Sequence, residues 1–330
     1  MAQEYIGVDL HKAFFQVCAV SPSGLRLWEG RFARTPAGIA QFIERGVGAA
    51  SAIAVEASGP TWAFVDALRP PGPQICVVDP RKTKLKAGFA AKTDRLDARR
   101  LADALRRESV VSIYIPPPAI RALREVCRGR QQLVRVRTRL AQMIRALLLR
   151  CDGGEPPGTK LYAPRARAWL AAVQLPPDAQ RTLRRLDRLY QEVHLEAQAA
   201  DADVRQRAAA DPIACALDGM VGIGPVLALS LRAEIGDIAR FARGPALACY
   251  AGVVPTVDCS AARSHYGRIT REGSPWLRWA LVEAARHAIR HDDARARWAR
   301  RLAVRKGLNK AHVALARVLC DQVVATWPIT

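Results

Sequence analysis

Tyr5-Ile6-Gly7-Val8-Asp9-Leu10-His11-Lys12 is the stretch on which the reading of this chain turns. Ile6, Val8 and Leu10 belong to an apolar run of strand length, so the segment predicts an opening β-strand over 4–10. Asp9 interrupts it, and a carboxylate inside a strand is costly unless a partner or a cation meets it. A second run, Ala52-Ile53-Ala54-Val55-Glu56, ends on an acid in the same way, just before the turn residues Ser58-Gly59-Pro60. Further along, Lys92-Thr93-Asp94-Arg95-Leu96-Asp97-Ala98-Arg99 predicts a helix start with Thr93 as its cap. Asp94 and Asp97, three residues apart, project from one helix face. Each acid also has an ordinary reading, Asp97 as the partner of a neighbouring Arg and Asp94 as a first-turn residue favoured by the helix dipole. Together, two strand carboxylates and two helix carboxylates supply the oxygen ligands that Mg2+ prefers. A pair of such ions can stabilise both oxygens of a phosphodiester exchange. Asp9, Glu56, Asp94 and Asp97 are therefore the candidate metal ligands and catalytic acids.

Strands are expected at 4–10, 13–20, 25–33, 51–57 and 74–79, with Ser21-Pro22-Ser23-Gly24 as a turn, and helices at 36–46, 60–69 and 92–108. Three successive strands followed by alternating helices and strands is the order of an RNase H-like mixed sheet. Pro116-Pro117-Pro118 ends that unit, because a triple proline continues neither a helix nor a central strand. From 119 to about 150 the pattern is helical and Arg-laden, with Leu133, Val136, Leu140, Ile144 and Leu147 between the arginines. A second helical stretch spans 177–210, with Leu183, Leu186, Leu189, Val193 and Leu195 on its apolar side. Two such helices suggest an antiparallel coiled-coil arm, and a simple bundle is equally permitted. The fold class is α/β plus α, divided into an RNase H/RuvC-like part at 1–118, a helical coiled-coil middle region at 119–211 and a mostly helical part at 212–330.

The charge points to the partner. A net +21 and a pI near 10.5 fit a surface that meets nucleic acid, with a ribosome-like or membrane-surface protein as the plainer alternative. Residues 1–80 carry 6 Lys/Arg against 7 Asp/Glu, 81–150 carry 19 against 5, and 151–330 carry 26 against 18. The excess thus begins beside the carboxylates. No run approaches a bilayer span and the N-terminus lacks a secretory pattern, so a cytoplasmic location is expected. The 8 cysteines form no C-x-x-C pair and read as reduced, mostly core residues.

Near the C-terminal end, Gly222-Ile223-Gly224-Pro225 opens an apolar helix in the manner of a helix-hairpin-helix element, whose backbone amides meet phosphate; an ordinary Gly-rich turn is the alternative. Cys249 to Pro255 follows, then Ser260 in an irregular stretch, then the basic run Arg263 to Arg271. Helices are expected around 275–291, 293–304 and 308–327. His287 and His291 stand four apart on the first of these; with no third ligand in sight, a surface or phosphate-facing role is the stronger reading. Cys259 is read as a small neighbour of Ser260.

These motifs together resemble the IS110 (IS-one-ten) family of insertion-sequence transposases, bridge-RNA-guided DNA recombinases, over nearly the whole chain. The N-terminal signature corresponds to Gly7 to Lys12, Val55-Glu56-Ala57-Ser58-Gly59 and Lys92 to Ala98. The C-terminal one corresponds to Gly222 to Gly224, Ala251 to Pro255, Ser260, Gly267 to Thr270, Gly273 and Leu277-Arg278. The resemblance implies a RuvC-like domain carrying the four carboxylates and a transposase domain carrying a nucleophilic serine, Ser260. It further implies Mg2+ or Mn2+ as cofactor, donor and target DNA and a structured guide RNA as partners, and a homo-oligomer, dimer or tetramer, in which both sites are used together. Lys86, Lys92, Gly222, Gly224, Arg263, Arg268, Arg271 and Arg278 are the expected nucleic-acid contacts. The family's serine is usually followed by Gly, where this chain has Ala261; Ser264 and Ser274 are the competing serines, Ser274 being expected to cap a helix. A RuvC-like metal-dependent junction endonuclease that cuts with water, and a non-catalytic nucleic-acid-binding protein, are the alternatives.

Overall fold

The structure, a computed structural model, describes residues 3–69, 72–79, 83, 93–260 and 263–328, without the side chains of 258–266. The chain divides into two compact units, Met1–Ile115 and Pro116–Thr330, with the boundary at the proline run.

The first unit is built on strands β1 (Glu4–Leu10), β2 (Phe14–Val20), β3 (Arg26–Ala33), β4 (Ser51–Glu56) and β5 (Gln74–Val78), with helices α1 (Pro36–Ile43), α2 (Thr61–Leu68) and α3 (Asp94–Arg106). The sheet order is β3-β2-β1-β4-β5. β2 pairs antiparallel with β1 and β3, whereas β4 runs parallel to β1 and β5. This is the mixed sheet expected of an RNase H-like unit, and strand boundaries agree with expectation within one residue.

Strand alternation divides the sheet into two faces of different character. Ile6, Val8, Ile53 and Val55 point to the face covered by α1 and α2, where they join Phe15, Phe32, Phe42 and Phe64 in one core. Phe15 packs edge-on against Phe42 and Phe64 at centroid distances of 5.4 and 5.0 Å. Burying each such side chain contributes roughly 1.5–3 kcal/mol before entropy is counted. The opposite face, lined by Cys18, Ala54 and Val78, receives Ala98, Leu101 and Ala102 of α3. Gly7 makes the approach possible: a Cβ there would lie 1.9 Å from the carbonyl oxygen of Ala98 and 2.5 Å from the nitrogen of Ala102.

The second unit is helical apart from one hairpin. It comprises α4 (Pro118–Arg150), α5 (Pro164–Ala172), α6 (Pro177–Ala210), α7 (Pro212–Asp218), α8 (Pro225–Ile235), α9 (Gly244–Ala251), β6 (Pro255–Ser260), β7 (Arg263–Ile269), α10 (Pro275–Ala288), α11 (Ala294–Lys306) and α12 (Leu308–Thr326). Among the described residues eight of the twelve helices carry Pro at their first or second position. There the fixed φ suits the helix and the missing N–H costs nothing.

α4 and α6 run antiparallel, as their cross-pairs show: Arg130 meets Asp201 at 2.7 Å and Arg137 meets His194 at 3.3 Å. The buried positions on α6 recur every seven residues through Leu183, Tyr190, Ala197 and Val204. That spacing differs from the leucine pattern in the sequence. Val136, Leu189 and Leu195 are exposed, because the seam follows the seven-residue spacing rather than the bulkiest residues. The core of the second unit draws on α7 to α12 together with Cys127 of α4 and Val204 and Ala208 of α6. A buried acid, Glu234, ties three helices together: Arg128 meets its two carboxylate oxygens at 2.7 and 3.0 Å, and Ser274 donates to it at 2.7 Å.

Three expectations need correction. The stretch around Ser260 is a strand, not irregular, and pairs antiparallel with the following basic run. α10 ends at Ala288, so His291 lies beyond the helix and the four-residue relation to His287 is lost; His287 instead sits 3.6 Å from Glu283. Of the seven described cysteines all are free, but only Cys18, Cys127 and Cys320 are buried, while Cys215 and Cys249 are exposed.

Candidate functional site

The strand parity that sends Ile6 and Val8 into the core sends Gly7, Asp9 and His11 toward α3. Asp9 follows Val8 on β1, and Glu56 follows Val55 on β4; since Val8 and Val55 are register partners, both acids stand side by side at the carboxyl ends of parallel strands. α3 starts at this level. Thr93 caps it by accepting from the Leu96 N–H at 3.3 Å, and Asp94 and Asp97 occupy its first turn, as the sequence predicts.

Asp9, His11 and Asp94 form the tightest grouping: one ligand atom from each lies within 4.8 Å of the others. His11 Nε2 is 3.2 Å from Asp9 Oδ2 and 3.5 Å from Asp94 Oδ1. Glu56 and Asp97 adjoin this grouping without belonging to it, and the Asp97 carboxylate accepts from Arg100 at 3.0 Å. Burial raises the Asp9 carboxyl above its ordinary range; His11 pulls it back, and Asp94 and Asp97 push it up again. A carboxyl pushed up by burial and by neighbouring acids, as Asp9 is, sits in an electrostatic setting that a divalent cation relieves. The donor set therefore fits a hard or borderline divalent ion. His11 was the residue that sequence reasoning missed, although its position two residues beyond Asp9 placed it on the same face.

In the second unit, Ser260 is the last residue of β6 and pairs with Arg263 across the hairpin; the side chains of both lie outside the described residues. Lys86 and Lys92 lie outside them entirely. Gly222 adopts φ +87°, and a Cβ there would come within 2.5 Å of the Ala284 carbonyl oxygen, so the turn packs directly on α10. Gly224 precedes α8, whose N-terminus opens on a groove of ≈ 830 Å³ lined in part by Arg130, Arg205, Arg286 and His287. Arg268 and Arg271 are exposed. Arg278 is half-buried and donates to the carbonyls of Ala251 and Glu272 at 3.0 and 3.3 Å, which braces the chain on both sides of the hairpin. Ser274 caps α10 at 3.3 Å from the Leu277 nitrogen, the role expected of it.

Comparison with known proteins gives two family matches, the first of which runs past the boundary between the units to the end of α4. Residues 6–151 match a DEDD transposase model of the IS110 type, described as "Transposase", and residues 214–299 match the model described as "Transposase IS116/IS110/IS902 family". The chain belongs to the IS110 family of insertion-sequence transposases. It is 28% identical over 323 residues to a transposase for insertion sequence element IS1111A of Coxiella burnetii, covering 94% of this chain and 86% of that one. It is 25% identical over 331 residues to a transposase for element IS1328 of Yersinia enterocolitica, covering 98% and 96%. A probable family 20 transposase of Pseudomonas aeruginosa is 28% identical over 276 residues, covering 80% of each chain. In this transposase the first family match contains all four carboxylates, and the second contains the Gly222–Gly224 turn and Ser260. No helix among the described residues is long and apolar enough to cross a membrane.

Proposed function

We propose that this transposase breaks and rejoins DNA strands through Ser260, assisted by divalent ions, Mg2+ or Mn2+, held by Asp9, Glu56, Asp94 and Asp97, with a structured RNA directing the choice of DNA. The observation that carries the reading is the convergence of Asp9 and Asp94 on one face of the first unit, in a chain whose residues 214–299, Ser260 among them, match the family's second model. The Ser260 Oγ attacks the phosphorus and gives its proton to solvent or a base, the bond to the bridging oxygen breaks, and that oxygen takes up a proton to leave as a free hydroxyl end. A phosphoserine link retains the energy of the broken phosphodiester, so a hydroxyl from another strand can reverse the step and complete the exchange. When bound, divalent ions at the carboxylates supply charge stabilisation to the attacking and leaving oxygens.

Three parts divide the labour in this reading: 1–118 holds the metal-binding acids, the α4–α6 arm at 119–211 is a coiled-coil spacer, and 212–330 presents the serine. Exposed Arg268 and Arg271, together with Lys86, Lys92, Arg263 and the amides near Gly222 and Gly224, contact phosphate, and Arg278 contributes by bracing the hairpin. The protein acts in the cytoplasm as a dimer or tetramer on donor and target DNA. Affinity for DNA or RNA should fall log-linearly with salt, as counterion release requires.

The deciding experiment is the covalent adduct. Wild-type protein mixed with its DNA and RNA should give a protein–DNA band that survives denaturing gels, and Ser260→Ala should not, while still assembling on nucleic acid. Strand cleavage without any adduct in the wild type would favour the water-driven junction endonuclease instead.

A further inference from the structure

We propose that His11 is itself a metal ligand, adding an imidazole nitrogen to the carboxylates of Asp9 and Asp94, so that the centre takes Mn2+ in preference to Mg2+. The inference rests on the metal-binding reading of the carboxylates and goes beyond it in naming a nitrogen donor and a preferred ion.

The spacing supports it. Donors that share an ion through bonds of about 2.1 Å stand roughly 3 Å apart. His11 Nε2 is 3.2 Å from Asp9 Oδ2 and 3.5 Å from Asp94 Oδ1, so the three atoms already surround a volume of that size. The imidazole is also held in place. The His11 backbone N–H donates to the Phe14 carbonyl at 2.9 Å, closing the turn between β1 and β2. Its ring stacks on Phe14 at 4.6 Å with the planes 28° apart, and the Arg31 guanidinium lies 3.5 Å from the centre of the Phe14 ring. A side chain fixed by its turn and by a ring contact loses little entropy on binding an ion. Mg2+ favours an all-oxygen shell, whereas imidazole suits the first-row transition ions. Replacing one oxygen by nitrogen therefore biases the site away from Mg2+.

The test uses the full chain and the ions alone. Mn2+ binding is followed by calorimetry and by the 14N modulation of the electron spin echo, with Mg2+ as competitor, in wild type, His11→Ala and His11→Gln. The wild type should show 14N coupling and hold Mn2+ about ten-fold or more tighter than Mg2+, a typical scale for ligand-sphere changes. Both variants should lose the 14N coupling and most of that preference, and His11→Gln should retain Mg2+ because its amide oxygen can take the vacated place. Asp9→Asn separates the two readings. Mn2+ bound through oxygen alone in the wild type, yet lost in Asp9→Asn, overturns the role of His11 and leaves the carboxylate site standing. Failure of the wild type to bind either ion overturns both.

Discussion

Asp9 in the first unit and Glu234 in the second are both acids set among packed elements, yet their surroundings are opposite. Glu234 is almost fully buried and both its oxygens are used, by the fork of Arg128 and by the Ser274 hydroxyl. Asp9 keeps about a quarter of its side chain exposed, meets His11, and faces two more acids. An acid whose oxygens are all matched contributes to architecture. One left among other acids is incompletely matched, and a cation that arrives later can complete its pairing. Completeness of pairing, more than depth, separates Glu234 from Asp9, the candidate site acid.

That contrast can be broken by substitution. Asp9→Ala should have the largest effect, reducing strand exchange by at least about two to three orders of magnitude, the scale of losing a principal electrostatic group. Far-UV circular dichroism and RNA binding should stay unchanged; recombination at wild-type level would end the functional reading of Asp9. Arg128→Ala should do the reverse. It leaves Glu234 buried and without its guanidinium, at a cost of about 3–5 kcal/mol, visible as a lower denaturation midpoint. Gly7→Ala comes next, since a methyl group must push into the α3 backbone. Overpacking of this kind costs roughly 1–3 kcal/mol and should be confined to the first unit, read by hydrogen exchange in β1 and α3. Ser274→Ala should cost only about 1 kcal/mol, that of a helix cap. Retention of the covalent adduct in this variant sharpens the assignment to Ser260.

The smallest effect is in pH dependence. Burial raises the Asp9 carboxyl in the folded state, so folding favours its protonated form. That contribution is complete below the ordinary carboxylate range and is lost as pH rises through the raised folded value. In metal-free protein, Asp9→Asn should therefore gain stability relative to wild type at neutral pH and lose that advantage near pH 4 or below. Urea midpoints at several pH values in the presence of a chelator measure it. An advantage that grows on acidification contradicts the shift.

Much of the first unit was legible because two local signals agreed. The apolar runs Tyr5 to Leu10 and Ala52 to Glu56 marked the strands and the acids that interrupt or end them, and Thr93 marked the start of α3. In the second unit the helices expected from 119, 177 and 275 begin at Pro118, Pro177 and Pro275. What escaped were elements decided by tertiary contact. α5 and α9 are too short, at 9 and 8 residues, to show a clear helical period. The ribbon of β6 and β7 lacks a two-residue turn signal and is rich in Ser and Arg, so its pairing was hidden. Leu189 and Leu195 misled because hydrophobicity alone does not say which side of a long helix finds a partner. The role of Glu234 depended on Arg128, 106 positions away in the chain, and no local pattern reports such a pair.

The contact between Gly7 and α3 has a use beyond packing. It is a backbone-close join between a strand and a helix, and it lies next to the acids that the same two elements carry, two residues before Asp9 on β1 and one turn or more after Asp94 on α3. Its thickness therefore gauges the gap across which Asp9 and Asp94 face each other. Ala98 and Ala102, fully buried on the helix side of the same join, are the matching adjustment points. Exchanging Ala102 for a slightly larger residue would act as a shim, changing the gap without altering any ligand.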